Sequence, residues 1–187
     1  MTASVQNLQG SSVVDGRQPK LRFDPIAEGV RQWEAHGWEE AAPGVAAVTS
    51  IMRVQQILYA RIDEVLRPFE VSYAGYEFLM LLSFTRLGQL PLGKIGDRLQ
   101  IHPASVTHAV KQLESRNLVR REAHRTDGRT KLAVIQPAGR RIAAKATEAL
   151  NARVFTALDW SPQDLTQLWE LLRKLRQAAG DFPVEAP

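Results

Sequence analysis

The chain has 187 residues, of which 44% are hydrophobic and 24% charged, and a formal net charge of +4, a balance expected of one soluble globular domain with helical extensions. It contains no cysteine, which excludes disulfides, thiolate nucleophiles, cysteine metal clusters and thiol-based redox sensing. No apolar run approaches the ~20 residues that span a bilayer, and the polar N-terminus lacks a signal-peptide pattern, so the sequence predicts a cytoplasmic protein with no membrane partner.

Residues 1–19 are rich in Ser, Gln, Gly and Thr without a period and read as a disordered tail. From 20 to 40 the character changes. Asp24 is a cap, Pro25 suits a first helical turn, and Ile26, Val30 and Trp33 keep helical spacing. The expectation is an amphipathic helix ending near His36 and Gly37, with Trp38 just beyond. Such a helix is either a packing brace or, through Trp33 or Trp38, part of a pocket for an aromatic or lipophilic ligand.

Pro43 and Gly44 punctuate the chain, and a long helix follows within 41–72. Val48, Ile51, Gln55, Leu58, Ile62, Val65 and Phe69 alternate by three and four, a narrow seam that wants a partner helix, and Pro68 should end it.

The stretch 73–136 reads as one small domain. A buried helix over 73–84 carries Tyr76, Leu79, Met80 and Ser83 at helical intervals. Leu90 and Pro91 are a brief extended piece, and 92–99 is a short helix with Leu92, Ile95 and Leu99 inward. After Gln100 comes a helix over 101–119 with two distinct faces. Val106, Ala109, Val110 and Leu113 make an apolar stripe, while Ala104, Thr107, His108 and Lys111 make an opposite face with no large hydrophobe. That second face offers donors and acceptors suited to base edges and phosphates. His102 is the approximate cap, Pro103 suits the first turn, and Asn117 closes the helix where a left-handed residue is wanted. Two helices joined by a short turn, the second with a polar outer face, define a helix-turn-helix. Two β-prone runs then flank Asp127 and Gly128, a hairpin whose tip carries Arg125 and Arg129. Beside a reading helix such a tip is a wing, and arginine is favoured in a narrow minor groove.

Within 137–180, Pro137 opens a helix carrying Ile142, Ala146, Ala149, Leu150, Val154 and Leu158. Ser161 to Asp164 is a capping-box-like start for a last helix with Leu165, Leu168, Leu172 and Leu175 in register, widened by Trp169 and Leu171. Residues 181–187 are a tail. Three seam-bearing helices from two chain ends make a dimerisation layer the most economical arrangement; an intramolecular bundle is the alternative.

Charge supports this division: 73–136 holds ten Lys/Arg against five Asp/Glu, whereas 1–72 holds seven against nine. The four histidines (36, 102, 108 and 124) have no ligand-like spacing, so no metal and no cofactor is expected. Catalytic residues are not expected either, since there is no carboxylate pair in a motif, no nucleophile with a base and no phosphate loop.

These residues resemble the winged helix-turn-helix of the MarR family of bacterial transcriptional regulators. The matching features are ASVTHAVKQLESRNLVRR, Asp127 two residues before Arg129, and IQPAG at 135–139 leading into the next helix. The resemblance covers about residues 41–180, with Asn117 in place of the usual glycine and Gln136 in place of a Thr or Ser cap. It implies a mainly helical fold with a small β-hairpin, a winged helix-turn-helix flanked by a helical dimerisation layer. It further implies a homodimer on a pseudopalindromic double-stranded operator, usually a repressor, released by a small aromatic, lipophilic or acyl ligand. Carried over, Ser105, Thr107, His108 and Lys111 would face the major groove. Arg125 and Arg129 would enter or flank the minor groove, with Asp127 shaping the tip. Ser105 also suits its helix start, and Thr107 a phosphate contact. Candidate ligand contacts are Trp33, Trp38, Met52, Tyr59 and Tyr76, each of which would also serve as ordinary core. The rival reading is a winged-helix protein-interaction module that never binds DNA.

Overall fold

The computed structural model describes residues 21–100, 102–123 and 130–183, with the backbone alone for Pro103. The expected N-terminal tail, the hairpin tip and the last four residues lie outside them. The chain divides into two units between Glu64 and Val65.

In the first unit, α1 (Pro25–Ala35) starts as its sequence dictates: the Asp24 carboxylate accepts the Ile26 N–H at 2.9 Å, and Pro25 occupies the first turn. Gly37 follows in the left-handed region at φ 79°, which ends the helix. Most of α2 (Ala42–Leu66) also belongs here. It begins earlier than the sequence suggests, because Pro43 fits a first helical turn, where no N–H is needed, rather than punctuating the chain. The expected seam is exposed at Val48 and Ile51 and buried at Ile62, and the exposed apolar surface extends to Met52, Val54, Ile57 and Tyr59. The face is therefore wider than a narrow seam.

The second unit begins with Val65 and Leu66, both buried, at the end of α2. A 3₁₀ turn, Arg67–Phe69, replaces the α-helix where Pro68 removes a donor, and Glu70 closes it at φ 53°. Next come α3 (Tyr73–Ser83), β1 (Gln89–Pro91), α4 (Leu92–Leu99), α5 (Pro103–Ser115), β2 (Val119–Ala123), β3 (Lys131–Ile135), α6 (Pro137–Leu150) and α7 (Pro162–Ala178). The fold is mainly helical with a small antiparallel sheet in the order β1-β3-β2. The hairpin pairs Val119 with Ile135 and Ala123 with Lys131, while Gln89 to Pro91 add a third strand on the other edge of β3. The brief extended piece of the sequence is thus a sheet edge.

One core organises this unit. Phe78, Leu79 and Leu82 of α3, Ile95 of α4, Val106, Val110 and Leu113 of α5, and Val119, Ala133 and Ile135 of the sheet are buried together. Each of these apart from Ala133 contributes roughly 1.5–3 kcal/mol by leaving water. Tyr76 is also buried. Its hydroxyl and that of Thr147 of α6 share a hydrogen bond at 3.0 Å, and the Thr147 hydroxyl also reaches the Ala143 carbonyl at 2.8 Å. Burial also raises the Glu77 carboxyl above the ordinary glutamate range, against a hydrogen bond from Tyr73 that lowers it.

The stretch 101–119 is α-helical to Ser115 and closes at Asn117, where the sequence reading placed its end, while the end of the next helix differs from that reading. The Asn117 N–H bonds to Glu114 at 2.9 Å and the Leu118 N–H to Leu113 at 2.9 Å, with Asn117 at φ 55°, a Schellman closure. The helix expected from Pro137 through Leu158 is α only to Leu150. Asn151–Phe155 widens into a π turn, in which the Asn151 carbonyl accepts both the Thr156 N–H (2.9 Å) and its hydroxyl (2.7 Å). Gln136 supplies no side-chain cap to α6, as its side chain suggests. α7 has the capping box in full: Ser161 Oγ accepts from Asp164 N at 3.1 Å, and the Asp164 carboxylate accepts from Ser161 N at 3.3 Å. Its Leu168, Trp169, Leu171 and Leu175 are exposed.

Candidate nucleic-acid interface

α4 and α5 are joined through Gln100, left-handed at φ 53°, which ends α4 abruptly enough for the next helix to cross it. The Gln100 amide donates to Asp181 at 2.6 Å, and Arg176 Nε donates to the other oxygen of the same carboxylate at 2.6 Å. The Arg176 and Gln100 hydrogen bonds hold the Asp181 carboxyl below its usual range. α5 then opens on His102, whose Nδ1 accepts the Ala104 N–H at 3.2 Å.

Along α5 the periodicity of the sequence becomes a division between core and solvent. Val106, Ala109, Val110 and Leu113 are buried, whereas Ala104, Ser105, Thr107, His108 and Lys111 are exposed. Burial on one side fixes the helix, so the other presents a hydroxyl, an imidazole and an ammonium group without competing hydrophobes. Two ties hold its far end. The Glu114 carboxylate accepts from the Arg121 backbone N–H at 2.9 Å and pairs with the Arg121 guanidinium at 2.6 Å, fastening α5 to the start of the hairpin. Arg116 reaches the turn after α2, donating to the Phe69 carbonyl at 3.1 Å, to the Glu70 carbonyl, and to the Glu70 carboxylate at 3.0 Å. The sequence reading singled out neither tie.

An open groove of about 500 Å³ lies where α4 begins beside β3, lined by Lys94, Asp97, Thr130 and Lys131 among others. Lys94 and Lys131 were not among the residues singled out from the sequence; the basic excess of the segment was the only signal for them. Arg125, Asp127 and Arg129 lie outside the described residues.

The candidate ligand contacts are not gathered into one place by either unit alone. Trp33 and Trp38 meet edge to face with ring centroids 5.6 Å apart, and His36 stacks on Trp38 at 5.5 Å. Met52 and Tyr59 are exposed, two turns apart on α2. Tyr76 is in the core of the second unit. Among the described residues no group of three or more His, Asp or Glu could hold a metal, and no helix is long and apolar enough to cross a membrane.

Two helices joined by a short turn, the second with one face in the core and a polar face in solvent, followed by a hairpin, make a winged helix-turn-helix, a class of DNA-binding protein. The comparisons agree. The model of the MarR family matches residues 76–131. Among solved structures, the chain is 42% identical to Sco5413, a MarR family transcriptional regulator from Streptomyces coelicolor, with a TM-score of 0.69 over 76% of this chain and 99% of that one. It is 25% identical to Sco3205, a MarR family transcriptional regulator from the same organism solved in complex with DNA, with a TM-score of 0.63 over 75% and 88%. CouR from Rhodococcus jostii RHA1, solved bound to p-coumaroyl-CoA, shares the fold at 22% identity and a TM-score of 0.61 over 72% and 92%. No curated protein sequence matches. The chain belongs to the MarR family of DNA-binding transcriptional regulators.

Proposed function

We propose that two copies of this chain bind a pseudopalindromic operator as a repressor and leave it when a small aromatic, lipophilic or acyl molecule binds. The observation that carries the DNA-facing assignment is the exposed polar side of α5, opposite four buried apolar residues of the same helix. On this reading Ser105, Thr107, His108 and Lys111 face the major groove. Arg125 and Arg129, with Asp127 shaping the tip, reach the minor groove.

Pairing is supported by apolar surface that a lone chain leaves in water: Met52, Val54 and Ile57 on α2, and Leu171 and Leu175 on α7, are all half or more exposed. The paired copies would set two reading helices about 34 Å apart, one turn of DNA. A ligand that binds another spacing more tightly draws the population off the operator. Its candidate contacts are Trp33, Trp38, Met52, Tyr59 and Tyr76. CouR, of the same fold, holds p-coumaroyl-CoA, which makes aromatic acyl compounds the first class to try.

The test is a mobility shift of the full chain on DNA flanking its own gene, repeated with pooled aromatic and acyl metabolites, beside sedimentation for mass. A shift on that DNA at salt concentrations where unrelated DNA is released, a dimer mass and release by one metabolite pool are expected. A stable monomer, or equal affinity for all duplexes, would refute the proposal.

A further inference from the structure

We propose that Arg116 is a positioning residue for DNA reading, the strut that fixes the aim of α5 without touching DNA. This rests on α5 being the reading helix. Core contacts of α5 run from Val106 to Leu113, and the chain rejoins the same core at Leu118. The turn between is tied toward the hairpin by Glu114 on Arg121, and toward the turn after α2 by the Arg116 guanidinium, which spans two backbone carbonyls and one carboxylate of Phe69 and Glu70. The turn after α2 itself needs holding. Glu70 is a non-glycine residue at φ 53°, ψ 37°, a conformation that persists where neighbours impose it.

The chemistry separates the parts of the strut. The Glu70 side chain is 78% exposed and that of Arg116 31%, so their ion pair contributes little on its own. The carbonyl bonds matter more: both are donated by one terminal guanidinium nitrogen, and a lysine, whose single nitrogen ends short of that position, cannot meet both carbonyls from the same backbone site. Base reading tolerates misplacement of only about half an ångström, so a helix that loses one of the two ties at its far end loses base contacts before it loses phosphates.

The experiment compares the full-length protein with its R116Q, R116K and E70Q variants. Fluorescence anisotropy is read on a duplex from upstream of its own gene and on a scrambled duplex of equal length, across a salt series. R116Q and R116K should each lose about tenfold on the upstream duplex, the scale of one base contact. Their affinity for scrambled DNA and their salt slope should stay at the wild-type value, and E70Q should behave as wild type. Thermal midpoints are measured alongside, and binding is compared well below the lowest of them, so that unfolding is not read as lost aim. Equal loss on both duplexes with a shallower salt slope would make Arg116 a phosphate contact and overturn the proposal. Full activity of R116K, or no change in R116Q, would overturn it too. A wild-type protein that fails to distinguish the duplexes would instead refute the DNA-reading assignment beneath it.

Discussion

Gly139 is where the start of α6 passes closest to the start of the hairpin. A Cβ built there would lie inside contact distance of the Leu118 carbonyl oxygen, 3.1 Å from its carbon and 3.0 Å from Ile135 Cγ1. The carbonyl cannot swing aside, since it already accepts the Gln136 N–H at 2.9 Å, and Leu118 and Ile135 are both buried. Gly139→Ala must therefore push α6 away from the sheet. Overpacking of this kind costs about 1–3 kcal/mol, and alanine recovers at most about 1 kcal/mol through helix propensity. Because the clash is with backbone, the upper part of that cost applies, and the expected net loss is about 1–2 kcal/mol, or roughly 2–8 °C in midpoint for a chain of this size. Urea unfolding at a fixed protein concentration, which holds any association constant, should show a lower midpoint with an unchanged slope. A midpoint equal to or above wild type would mean that α6 does not need this close approach to the Leu118 carbonyl.

On the operator, Lys111→Ala should weaken binding and, if Lys111 meets a phosphate, lower the salt slope by about 0.9 per contact; unchanged affinity at every salt would remove it from the interface. Arg129→Ala should cost roughly 1–3 kcal/mol of operator affinity without lowering the thermal midpoint. Because burial raises the Glu77 carboxyl, the folded state holds that proton more tightly than the unfolded chain. Its contribution is full below the ordinary glutamate pKa and is lost as pH rises through the raised value. Glu77→Gln should accordingly gain on wild type as pH rises from acid to neutral, and a parallel pair of stability curves would disprove this. Ser161→Ala removes the acceptor of the Asp164 N–H and should cost about 1 kcal/mol, seen as faster amide exchange in the first turn of α7.

Features carried by local chemistry were legible in the sequence. The two faces of α5 follow from a 3.6-residue period, the start of α7 from a serine and an aspartate three apart, and the closure at Asn117 from a side chain that tolerates positive φ. Features that depend on where distant segments meet were not. Arg116 and Glu70 are 46 residues apart, and Glu114 binds the Arg121 backbone seven residues on, across a reversal that no helical spacing describes. β1 is three residues long and becomes a strand only because β3 offers it an edge. The end of the regular helix at Leu150 had no proline or glycine to announce it.

That last feature has a consequence for length rather than composition. A π turn accommodates one residue more than an α turn, so the chain beyond Phe155 is out of phase by about 100° with a plain continuation of α6. Removing one of the exposed residues that precede Val154 in the π turn would leave the buried Ala143, Ala146 and Leu150 untouched yet change where around the helix Val154, buried within that turn, emerges. For this turn a single-residue deletion is a change of phase that no point substitution can imitate.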